Sequence, residues 1–297
     1  MPLTATVSAS SANLGPGFDA LGMAVDLACT VHATPAPADV ATYHGAGDLT
    51  LDADNLVHQG FRRALEAAEH PATTVALDIH NDIPLARGLG SSSAALVAGV
   101  LLGDAVAGGR LGREGVLQLA ADLEGHPDNV APAVYGGVTL SAASVDAGWV
   151  TAQLPWPKDW RIAFGVPAHE VSTHDARAVL AAQVTRADAI LTASRLAFWP
   201  VALLTGDPAY LSVASRDVLH EPQRHPLLPG FAEAQSDLLE AGAWAAFLSG
   251  AGPTLGVVCD EGLLPTVRSI LTGYAGAEGS VLIPSIAGAA TVQGSWG

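Results

Sequence analysis

The sequence predicts an α+β fold made of two domains. Strand-like and helix-like runs are mixed along all 297 residues without the regular alternation of a βαβ protein. This length allows one large or two medium domains, and 49% hydrophobic residues supply ample material for a core. Two prolines and two tryptophans interrupt the pattern at residues 154–160. We therefore expect an N-terminal domain at 1–155 and a C-terminal domain at 156–297.

In the first half, alternating residues predict strands and helical spacing predicts helices. Residues 3–8 alternate before a turn rich in Gly, Ser and Asn at 10–17, and a second strand-like run follows at 23–31. Apolar residues recur at helical spacing within 55–69, at Leu56, Phe61, Leu65 and Ala68. The later predicted elements are a strand at 74–79, helices at 91–106 and 113–123, a polar turn at 124–129, a short helix of small residues and a strand at 137–141.

The same criteria apply beyond the predicted boundary. The sequence shows no internal repeat of the length found in solenoid proteins. The predicted elements are a strand at 161–166, helices at 175–191, 196–205 and 231–241, strands at 245–248 and 254–259, a helix at 263–271 and a late strand at 279–283.

The charge balance excludes two classes of partner. Lys and Arg number 13 against 29 Asp and Glu, which gives a formal net charge of −16, and Lys158 is the only lysine. Such a chain lacks the cationic face that nucleic acid or an anionic membrane surface requires, so neither is predicted as a partner. An anionic ligand must instead be held by a few arginines, by backbone N–H groups or by a bridging metal ion.

We expect a cytoplasmic protein without disulfide bonds. Cys29 and Cys259 lie far apart in apolar, strand-like segments, which indicates core residues rather than a disulfide or a zinc site. The first 19 residues lack the basic and apolar regions of a signal peptide. The most apolar stretch, 94–102, has about half the length of a bilayer-spanning helix.

Residues 84–94 form a loop rich in glycine and serine between a predicted strand and a predicted helix. Gly88 and Gly90 permit positive φ angles, and backbone N–H groups at the start of the helix would point towards an anion. This geometry suits a triphosphate, and the serine hydroxyls could supply a ligand for Mg²⁺. The loop has no Lys followed by Ser or Thr, so it is not a Walker A motif. A helix cap without a ligand is the alternative.

Two further segments of small residues accompany this loop. Residues 248–256 join two apolar strands with more small residues than a hairpin needs, which indicates that their backbone packs against a ligand or against the first loop. Residues 10–19 place Asn13 and Asp19 on a glycine-kinked turn, where short polar side chains can bind a hydroxyl or ammonium group. Capping of a local Asx turn is the alternative role for both residues.

These three segments, in this order, resemble the signature motifs of the GHMP kinase superfamily. They are SSANLGPGFDALG near the N-terminus, PLARGLGSSSAA near residue 90 and LSGAGPTLG near residue 250. Three more segments are similar to the homoserine kinase family within that superfamily: EGHPDNVAPA at 124–133, STHDAR at 172–177 and DVLHEPQR at 217–224. The resemblance covers the chain from about Val7 to Gly256.

The resemblance implies transfer of the ATP γ-phosphoryl group to the side-chain hydroxyl of L-homoserine in threonine biosynthesis, with Mg²⁺ as the cofactor. Ser92 and Glu124 match the residues that bind Mg²⁺, and Asn55 matches a contact to adenine. The implied phosphate loop is Pro84, Leu85, Ala86, Arg87, Gly88, Leu89, Gly90, Ser91, Ser92, Ser93 and Ala94. The implied amino-acid pocket is Asn13, Asp19, His126, Asp128, Asn129, Arg177 and Arg224, with Thr173 close to the transferred phosphate.

The chemistry of these residues fits the implied reaction. Two arginines can form bidentate bonds to a carboxylate while an aspartate takes the ammonium group, as a zwitterion such as homoserine needs. Phosphoryl transfer requires mainly positioning and charge neutralisation. The implied catalytic residues are Asp19, Asn129 and Thr173. Asn129 stands where relatives similar to mevalonate kinase carry an aspartate proposed as the base, so we expect Asp19 and Asn129 to orient the hydroxyl while its proton leaves late, directly to the phosphate.

Several alternatives remain open at this stage. A GHMP kinase for another small alcohol, such as mevalonate or shikimate, is disfavoured because the segment HPDN with the two arginines resembles an amino-acid pocket. A catalytically silent nucleotide or amino-acid sensor is disfavoured because the matched positions are intact. Arg87 could touch a phosphate or form a salt bridge to Asp82.

Among the ten histidines, His126 is favoured as a site residue. His174 and His220 are interpreted as supporting residues. The remaining histidines are interpreted as surface, loop or solvated positions: His32, His44, His58, His70, His80, His169 and His225. The resemblance further implies a homodimer, an N-terminal domain like domain 2 of ribosomal protein S5 and a ferredoxin-like C-terminal domain.

Overall fold

The structure is a computed structural model that describes residues 2–47, 49, 51 and 55–296. Within these residues, two β-sheets of seven and four strands are covered by helices. Helices and mostly antiparallel strands are mixed in both halves of the chain, which confirms the α+β class.

The described strands are numbered in chain order. They are β1 (Leu3–Ala12), β2 (Leu21–Pro35), β3 (Val40–Gly45), β4 (Val75–Asn81), β5 (Val138–Ser144), β6 (Gly148–Leu154), β7 (Arg161–Val166), β8 (Ala245–Leu248), β9 (Leu255–Cys259), β10 (Ser280–Leu282) and β11 (Thr291–Gln293).

The described α-helices are numbered in the same way. They are α1 (Leu56–Ala67), α2 (Ser91–Val106), α3 (Gly112–Glu124), α4 (Val130–Tyr135), α5 (Thr173–Ala178), α6 (Arg186–Thr205), α7 (Leu211–Ala214), α8 (Glu221–Arg224), α9 (Phe231–Glu240) and α10 (Leu264–Ala275). Short 3₁₀ turns occupy Pro208–Tyr210, His225–Leu227 and Glu261–Leu263.

The first sheet has the strand order β11-β1-β2-β4-β3, and β5 joins β2 and continues to β6. All pairs are antiparallel except β3 with β4. Strand β2 has 15 residues and pairs with β5 near its start and with β4 near its end. Alternate residues of β1, such as Ala5 and Val7, are fully buried, so one face of the sheet carries the core beneath α1 to α4.

Helix α2 contains many small and apolar residues because its backbone packs directly against the backbone of α1. A Cβ atom on Gly99 would collide with the carbonyl of Val57, and one on Gly60 would collide with the carbonyl of Leu96. Small residues are therefore required where the two helices cross. This contact fixes the start of α2 beneath the glycine- and serine-rich loop.

The second sheet has the order β10-β7-β9-β8 and is antiparallel throughout. The succession of β7, helices, β8, β9, α10 and β10 is a β-α-β-β-α-β arrangement, which supports a ferredoxin-like C-terminal half. One face packs on α9 and α10. The other face presents Phe164 and Phe247 to the main core, where Trp199 of α6 lies 6.1 Å from Phe247 between ring centroids. The two sheets therefore share a continuous core.

The boundary at 155/156 stays a prediction. It falls between β6 of the first sheet and β7 of the second sheet. The last strand, β11, returns to the first sheet and pairs antiparallel with β1. The end of the chain thus contributes to the N-terminal sheet.

The helix predicted at 196–205 is confirmed as part of a longer helix, whereas the bounds of the helix predicted at 175–191 and the break after it are wrong. Helix α5 ends at Ala178, and the single helix α6 runs from Arg186 to Thr205. The side chain of Thr185 accepts a hydrogen bond from the Asp188 N–H, so α6 begins with an N-cap that the apolar spacing does not reveal. Strands β3, β6 and β11 are also absent from the predicted elements. The expectation that His58 lies at the surface or in a loop is wrong, because this residue is buried on the inner side of α1.

By length and composition, α6 could cross a membrane, and it is the one described helix that meets this criterion. A single helix of this kind is weak grounds for a membrane protein. Trp199, Ala202 and Leu203 on one side of α6 are buried in the core. The absence of a membrane partner stays a prediction.

Candidate active site

The three glycine-rich segments meet at one place in the fold. The Ser249 hydroxyl donates to the carbonyl of Gly88 at 2.6 Å, which joins the third segment to the loop at 84–94. The Gly250 N–H donates to the Ala12 carbonyl at 3.0 Å, and the Asn13 amide donates to the Gly250 carbonyl at 2.9 Å. Of the two alternatives for residues 248–256, packing against the first loop is what the structure shows.

Gly88 is the residue that permits this contact. Its φ of +74° lies in the left-handed region, and a Cβ atom there would collide with the carbonyl of Ser249. A side chain at this position would therefore strain the backbone and separate the two loops.

Helix α2 directs its N-terminus towards the same place. Gly90 is the N-cap in left-handed conformation with a φ of +70°, and no side chain of the described residues caps this helix. The Asn81 amide holds the loop by donating to the Ile83 carbonyl at 3.0 Å and to the Ser91 hydroxyl at 3.3 Å. The backbone N–H groups of the first turn and the helix dipole together form a site for anionic groups.

A cavity of about 580 Å³ opens at these loops, a volume typical of small-molecule sites. Tyr43 and Leu49 contribute apolar surface beside Asn55 at the start of α1, whereas charged side chains contribute the surface near α4 and α5. All of the predicted site residues line this cavity except Ser93 and Ala94, which are fully buried beneath it. The structure thus brings together residues that lie as far apart in the sequence as Asn13 and Arg224.

Glu124 and two serines bring hard oxygen atoms together at the start of α2. The hydroxyls of Ser92 and Ser93 donate to the same Glu124 carboxylate oxygen at 3.0 Å and 2.7 Å. A hydroxyl and a carboxylate beside a phosphate-binding helix terminus form a donor set that fits Mg²⁺, which prefers oxygen ligands and shared coordination with phosphates. Ser92 and Glu124 are therefore suited to hold the ion.

Phe18 holds two arginines at the edge of the cavity. The guanidinium carbons of Arg177 and Arg224 each lie 5.3 Å from the centroid of the Phe18 ring. Both distances fall within the range of a cation–π interaction. The aromatic ring therefore holds the two guanidinium groups beside each other.

Arg177 forms a bidentate ion pair with Asp19. Its two terminal nitrogens donate to the two carboxylate oxygens at 3.1 Å and 2.6 Å. The hydrogen bonds to Asp19 raise the pKa of Arg177, so it stays cationic. The Asp19 N–H in turn donates to the Asn13 side-chain oxygen at 3.1 Å, which fixes the turn. The Asn13 side chain thus closes the turn from residue 13 to residue 19 and also lines the cavity.

Arg224 is buried and its guanidinium is held from several sides. It donates to the carbonyls of Ala176 at 3.0 Å and Gly250 at 3.1 Å, and to Nδ1 of His220 at 3.0 Å. Burial, followed by the charge of Arg177, lowers the pKa of Arg224 to about 10. Arg224 therefore remains protonated at neutral pH.

His220 connects this arginine to the first segment. Its Nε2 lies 2.8 Å from the Gly15 carbonyl, and its ring stacks on Phe18 at a centroid distance of 5.0 Å. Burial lowers the pKa of His220, so the ring is neutral. Because Nδ1 faces a guanidinium N–H, the tautomer that satisfies both contacts carries its hydrogen on Nε2. His220 is thus a supporting residue that orients Arg224.

His126 and Asp128 form a buried pair on the opposite wall. His126 Nδ1 lies 2.6 Å from an Asp128 oxygen, which also accepts the Asn129 N–H at 3.0 Å. Burial lowers the pKa of His126, but the hydrogen bond and charge of Asp128 outweigh it, so the net shift is upward. The Ser10 hydroxyl donates to the Asn129 side-chain oxygen at 2.9 Å, which leaves the amide N–H₂ as the donor that Asn129 can offer a ligand.

Arg87 does not pair with Asp82. Its guanidinium forms a salt bridge to Glu170 at 3.0 Å and donates to the carbonyls of Leu85, Pro167 and Ala168. Arg87 therefore fastens the phosphate loop to the segment that precedes α5. Thr173, the first residue of that helix, is exposed at the cavity.

Three residues that contribute to the site were not assigned this role from the sequence: Phe18, Glu221 and Ser249. Glu221 is buried and accepts hydrogen bonds from the Leu248 N–H at 2.7 Å and the Gln235 amide at 3.0 Å. Burial raises the pKa of Glu221 to about 8. All three lie inside segments that the sequence singles out, so their position in the motifs was the available signal.

The chain matches two family models. Residues 55–137 match the GHMP kinases N terminal domain, and residues 201–275 match the GHMP kinases C terminal domain. The fold is also that of an L. major mevalonate kinase solved with R-mevalonate, with a TM-score of 0.71 at 14% identity over 95% of both chains. Fold and site therefore define a GHMP kinase.

Closer relatives specify the branch. A homoserine kinase of Thermus thermophilus is 49% identical over 94% of both chains, and one of Synechococcus is 40% identical over 91% of this chain and 90% of the relative. A crystal structure of homoserine kinase from Cytophaga hutchinsonii has a TM-score of 0.86 at 27% identity and covers 98% of this chain and 97% of the other. The chain belongs to the homoserine kinase family.

Proposed function

We propose that the chain transfers the γ-phosphoryl group of ATP to the side-chain hydroxyl of L-homoserine and releases O-phospho-L-homoserine for threonine biosynthesis. The observation that carries this proposal is the pair of arginines on Phe18, beside Asp19 and the phosphate loop. A small zwitterion needs both charges, whereas a simple alcohol or a hydroxy acid does not.

The nucleotide would bind along the wall formed by α1, β3 and the phosphate loop. Tyr43, Leu49 and Asn55 offer the surface for the nucleoside, and the backbone N–H groups of Ser91 to Ser93 face the phosphates. No lysine is required, because the helix terminus and the loop supply the positive potential. The sole lysine, Lys158, does not line this cavity.

Ser92 and Glu124 are the residues that would hold Mg²⁺. When bound, the ion neutralises charge that develops on the transferred phosphoryl group. In this structure the hydroxyls of Ser92 and Ser93 both donate to Glu124, and Ser92 would give up its hydrogen bond to become a ligand of the ion. Ser93 keeps its own bond, at 2.7 Å, and thereby retains the carboxylate in place.

The amino acid would bind on the other side of the phosphate loop. Arg177 and Arg224 take the carboxylate, Asp19 and Asp128 take the ammonium group, and His126 supports Asp128. The bidentate pair between Arg177 and Asp19 must open for this to occur, because each partner then meets the opposite charge on the substrate. A ligand that carries only one of the two charges leaves one partner uncompensated.

Asn129 and Thr173 would position the reacting groups. The Asn129 amide can donate to the homoserine oxygen but cannot accept its proton, so it is a positioning group rather than a base. A loose transition state places little demand on early proton removal. The hydroxyl proton therefore leaves late and passes to a phosphate oxygen, while the Thr173 hydroxyl stabilises the phosphoryl group.

A coupled assay of ADP release tests the reaction. L-homoserine, L-threonine, mevalonate and shikimate are each supplied with ATP, with and without Mg²⁺. We expect ADP release above background with homoserine and Mg²⁺, at a rate at least tenfold above that with the other alcohols. Faster turnover of mevalonate or shikimate would identify a different GHMP kinase, and ATP binding without ADP release from any alcohol would identify a sensor.

We also propose that the enzyme acts in the cytoplasm as a homodimer. The resemblance to the family suggests the dimer. Sedimentation equilibrium over a range of protein concentrations measures the oligomeric state directly, and a mass equal to the 30.0 kDa of one chain at all concentrations would contradict the dimer.

A further inference from the structure

A row of histidines crosses the outer face of the first sheet. His80 of β4 lies opposite His44 of β3 in the strand register, and His32 of β2 lies opposite Asp78 of β4. In β4 the flanking residues Leu77, Ile79 and Asn81 are buried, whereas Asp78 and His80 point away from the core. The three imidazoles and one carboxylate therefore share the face that is opposite to the helices.

Two of these imidazoles converge on the carboxylate. His44 Nε2 lies 2.9 Å from one Asp78 oxygen, and His80 Nε2 lies 3.1 Å from the other. The ligand atoms of His44, Asp78 and His80 all lie within 4.8 Å of one another. The two rings are stacked with a centroid distance of 4.5 Å and an interplanar angle of 18°, so both present the same edge to Asp78.

Neighbouring side chains hold this cluster in place. The Thr42 hydroxyl donates to Asp78 at 2.7 Å, and this bond and the one from His80 lower the pKa of Asp78 to about 2. The His32 ring packs edge-on against His80 at 5.6 Å, and its Nδ1 lies 2.8 Å from the Thr4 hydroxyl. Such outer contacts orient ligands in metal sites.

We propose that His44, Asp78 and His80 bind one divalent transition-metal ion of the zinc type. Two imidazoles and one carboxylate on adjacent strands form a donor set that suits Zn²⁺ and disfavours Mg²⁺, which takes oxygen ligands. Each ring ligates through Nε2 and carries its hydrogen on Nδ1. The three side chains are about half exposed, at 56%, 44% and 48%, so water completes the coordination.

The bound ion would fasten the edge strand β3 to β4. Strand β3 is at the end of the strand order, and among the described strands it pairs with β4 alone. Tyr43 and Ile79, which line the cavity, are the sequence neighbours of His44 and His80 and stand opposite each other in the register. The site therefore lies behind the nucleotide wall, and binding to the folded chain raises its thermal stability.

Titration of the full chain with Zn²⁺, followed by calorimetry and by thermal unfolding, tests the proposal. We expect one Zn²⁺ per chain with a rise in Tm, and an affinity at least tenfold weaker in each of H44A, H80A and D78N. The variant H70A, in the turn that follows α1, serves as the matched control and keeps the wild-type affinity. All of these variants should keep their rate of ADP release, because the substituted residues do not line the cavity.

Two results would overturn the proposal. One is the absence of saturable Zn²⁺ binding to the wild-type chain. The other is binding that persists in H44A and H80A, in particular if it is lost in H126A, because Asp19, His126 and Asp128 form a second cluster with ligand atoms within 4.8 Å.

Discussion

At the residue scale, the site depends on side chains that hold charged groups rather than on the charges alone. Phe18 lies 5.3 Å from both guanidinium carbons, and His220 stacks on Phe18 while its Nδ1 faces Arg224. The neutral ring is essential to this arrangement, because a cationic imidazole would repel the guanidinium. The two guanidinium groups are thus placed beside each other before any substrate enters, and the pair between Arg177 and Asp19 is the contact that has to open.

Replacement of His220 should weaken the binding of homoserine selectively. The variant H220L loses one acceptor of the Arg224 guanidinium and the contact to the Gly15 carbonyl. A hydrogen bond to a charged group contributes about 1.5–3 kcal/mol, so we expect the KM for homoserine to rise at least tenfold. Steady-state kinetics measure both constants, and the KM for ATP should stay within about twofold of the wild-type value.

A second variant separates positioning from general destabilisation. H220N offers an acceptor near the position of Nδ1, so it should restore part of the homoserine KM. An equal rise in both KM values, or no rise in H220L, would show that His220 does not orient Arg224.

Asp19 and Asn129 should both be needed for turnover. The variant D19N keeps the shape of the side chain but removes its negative charge. That charge pairs with Arg177 and, in our proposal, with the ammonium group of the substrate. We expect kcat/KM for homoserine to fall about 100-fold, which corresponds to about 2.7 kcal/mol of binding to the transition state. N129A should lower kcat by at least tenfold. Near-normal turnover in D19N together with a complete loss in N129A would refute the role of Asp19.

Some of these residues could be predicted from the sequence and others could not. Asn13, Asp19, Arg177 and Arg224 are named by motif position, and the structure gathers them in one cavity. The partners of a side chain are not encoded locally: Arg87 meets Glu170 instead of Asp82, because the segment before α5 folds back onto the phosphate loop. Tertiary packing decides such contacts.

At the element scale, the phosphate loop is shaped by its contact with the third segment. Gly88 and Gly109 have nearly the same φ, +74° and +73°, but a Cβ at Gly88 would meet the Ser249 carbonyl while a Cβ at Gly109 would meet open space. The two glycines therefore form a matched pair that separates backbone strain from loop contact.

The variant G88A should lose stability and ATP binding, whereas G109A should lose stability alone. Left-handed conformation costs a residue with a side chain about 1–2 kcal/mol, and this cost is common to both. The collision in G88A adds to it, so we expect a lower Tm than in G109A and a KM for ATP at least tenfold higher. Thermal unfolding measures the Tm, and steady-state kinetics measure the KM for ATP. Equal effects of the two variants on ATP binding would contradict the role of the loop contact.

Helix α8 is linked to strand β8 through a carboxyl group that titrates near neutral pH. Because burial raises the pKa of Glu221 to about 8 from an ordinary value of 4.5, the folded state favours the neutral form. Its contribution to stability is fully present below the ordinary pKa and is lost as the pH rises through about 8.

The variant E221Q removes this titration. From pH 5 to pH 9, the free energy of unfolding of wild type should fall by about 4 kcal/mol relative to that of the variant. Denaturant melts of both proteins at several pH values measure the difference. A difference that stays constant with pH would show that Glu221 does not titrate in this range.

The elements were predicted most reliably where one local signal dominates. The alternation in β1 and the small, apolar composition of α2 give both elements their correct type. The break predicted between 191 and 196 is absent, because α6 starts at a cap on Thr185 and continues through Pro200. Strand β11, with three residues, is specified by its pairing with β1 rather than by its own sequence.

At the scale of the whole molecule, an acidic chain with one lysine can bind a tetra-anionic nucleotide because the positive potential is concentrated at the cavity. Twelve of the 13 basic residues are arginines, and three of them, Arg87, Arg177 and Arg224, line the cavity with the N-terminus of α2. The net charge of −16 therefore says little about the substrate. Because the chain has few basic residues, bound Mg²⁺ is essential in our proposal. The N–H groups of the loop alone leave most of the phosphate charge unbalanced.

The most direct test of the account follows the phosphoryl group itself. ³¹P NMR of the chain with equimolar ATP, L-homoserine and Mg²⁺ should show one new phosphomonoester signal that grows at the rate at which the ATP γ-phosphate signal disappears, and should show no such signal without Mg²⁺. Release of inorganic phosphate without a phosphomonoester, or an unchanged ATP spectrum, would contradict phosphorylation of the homoserine hydroxyl.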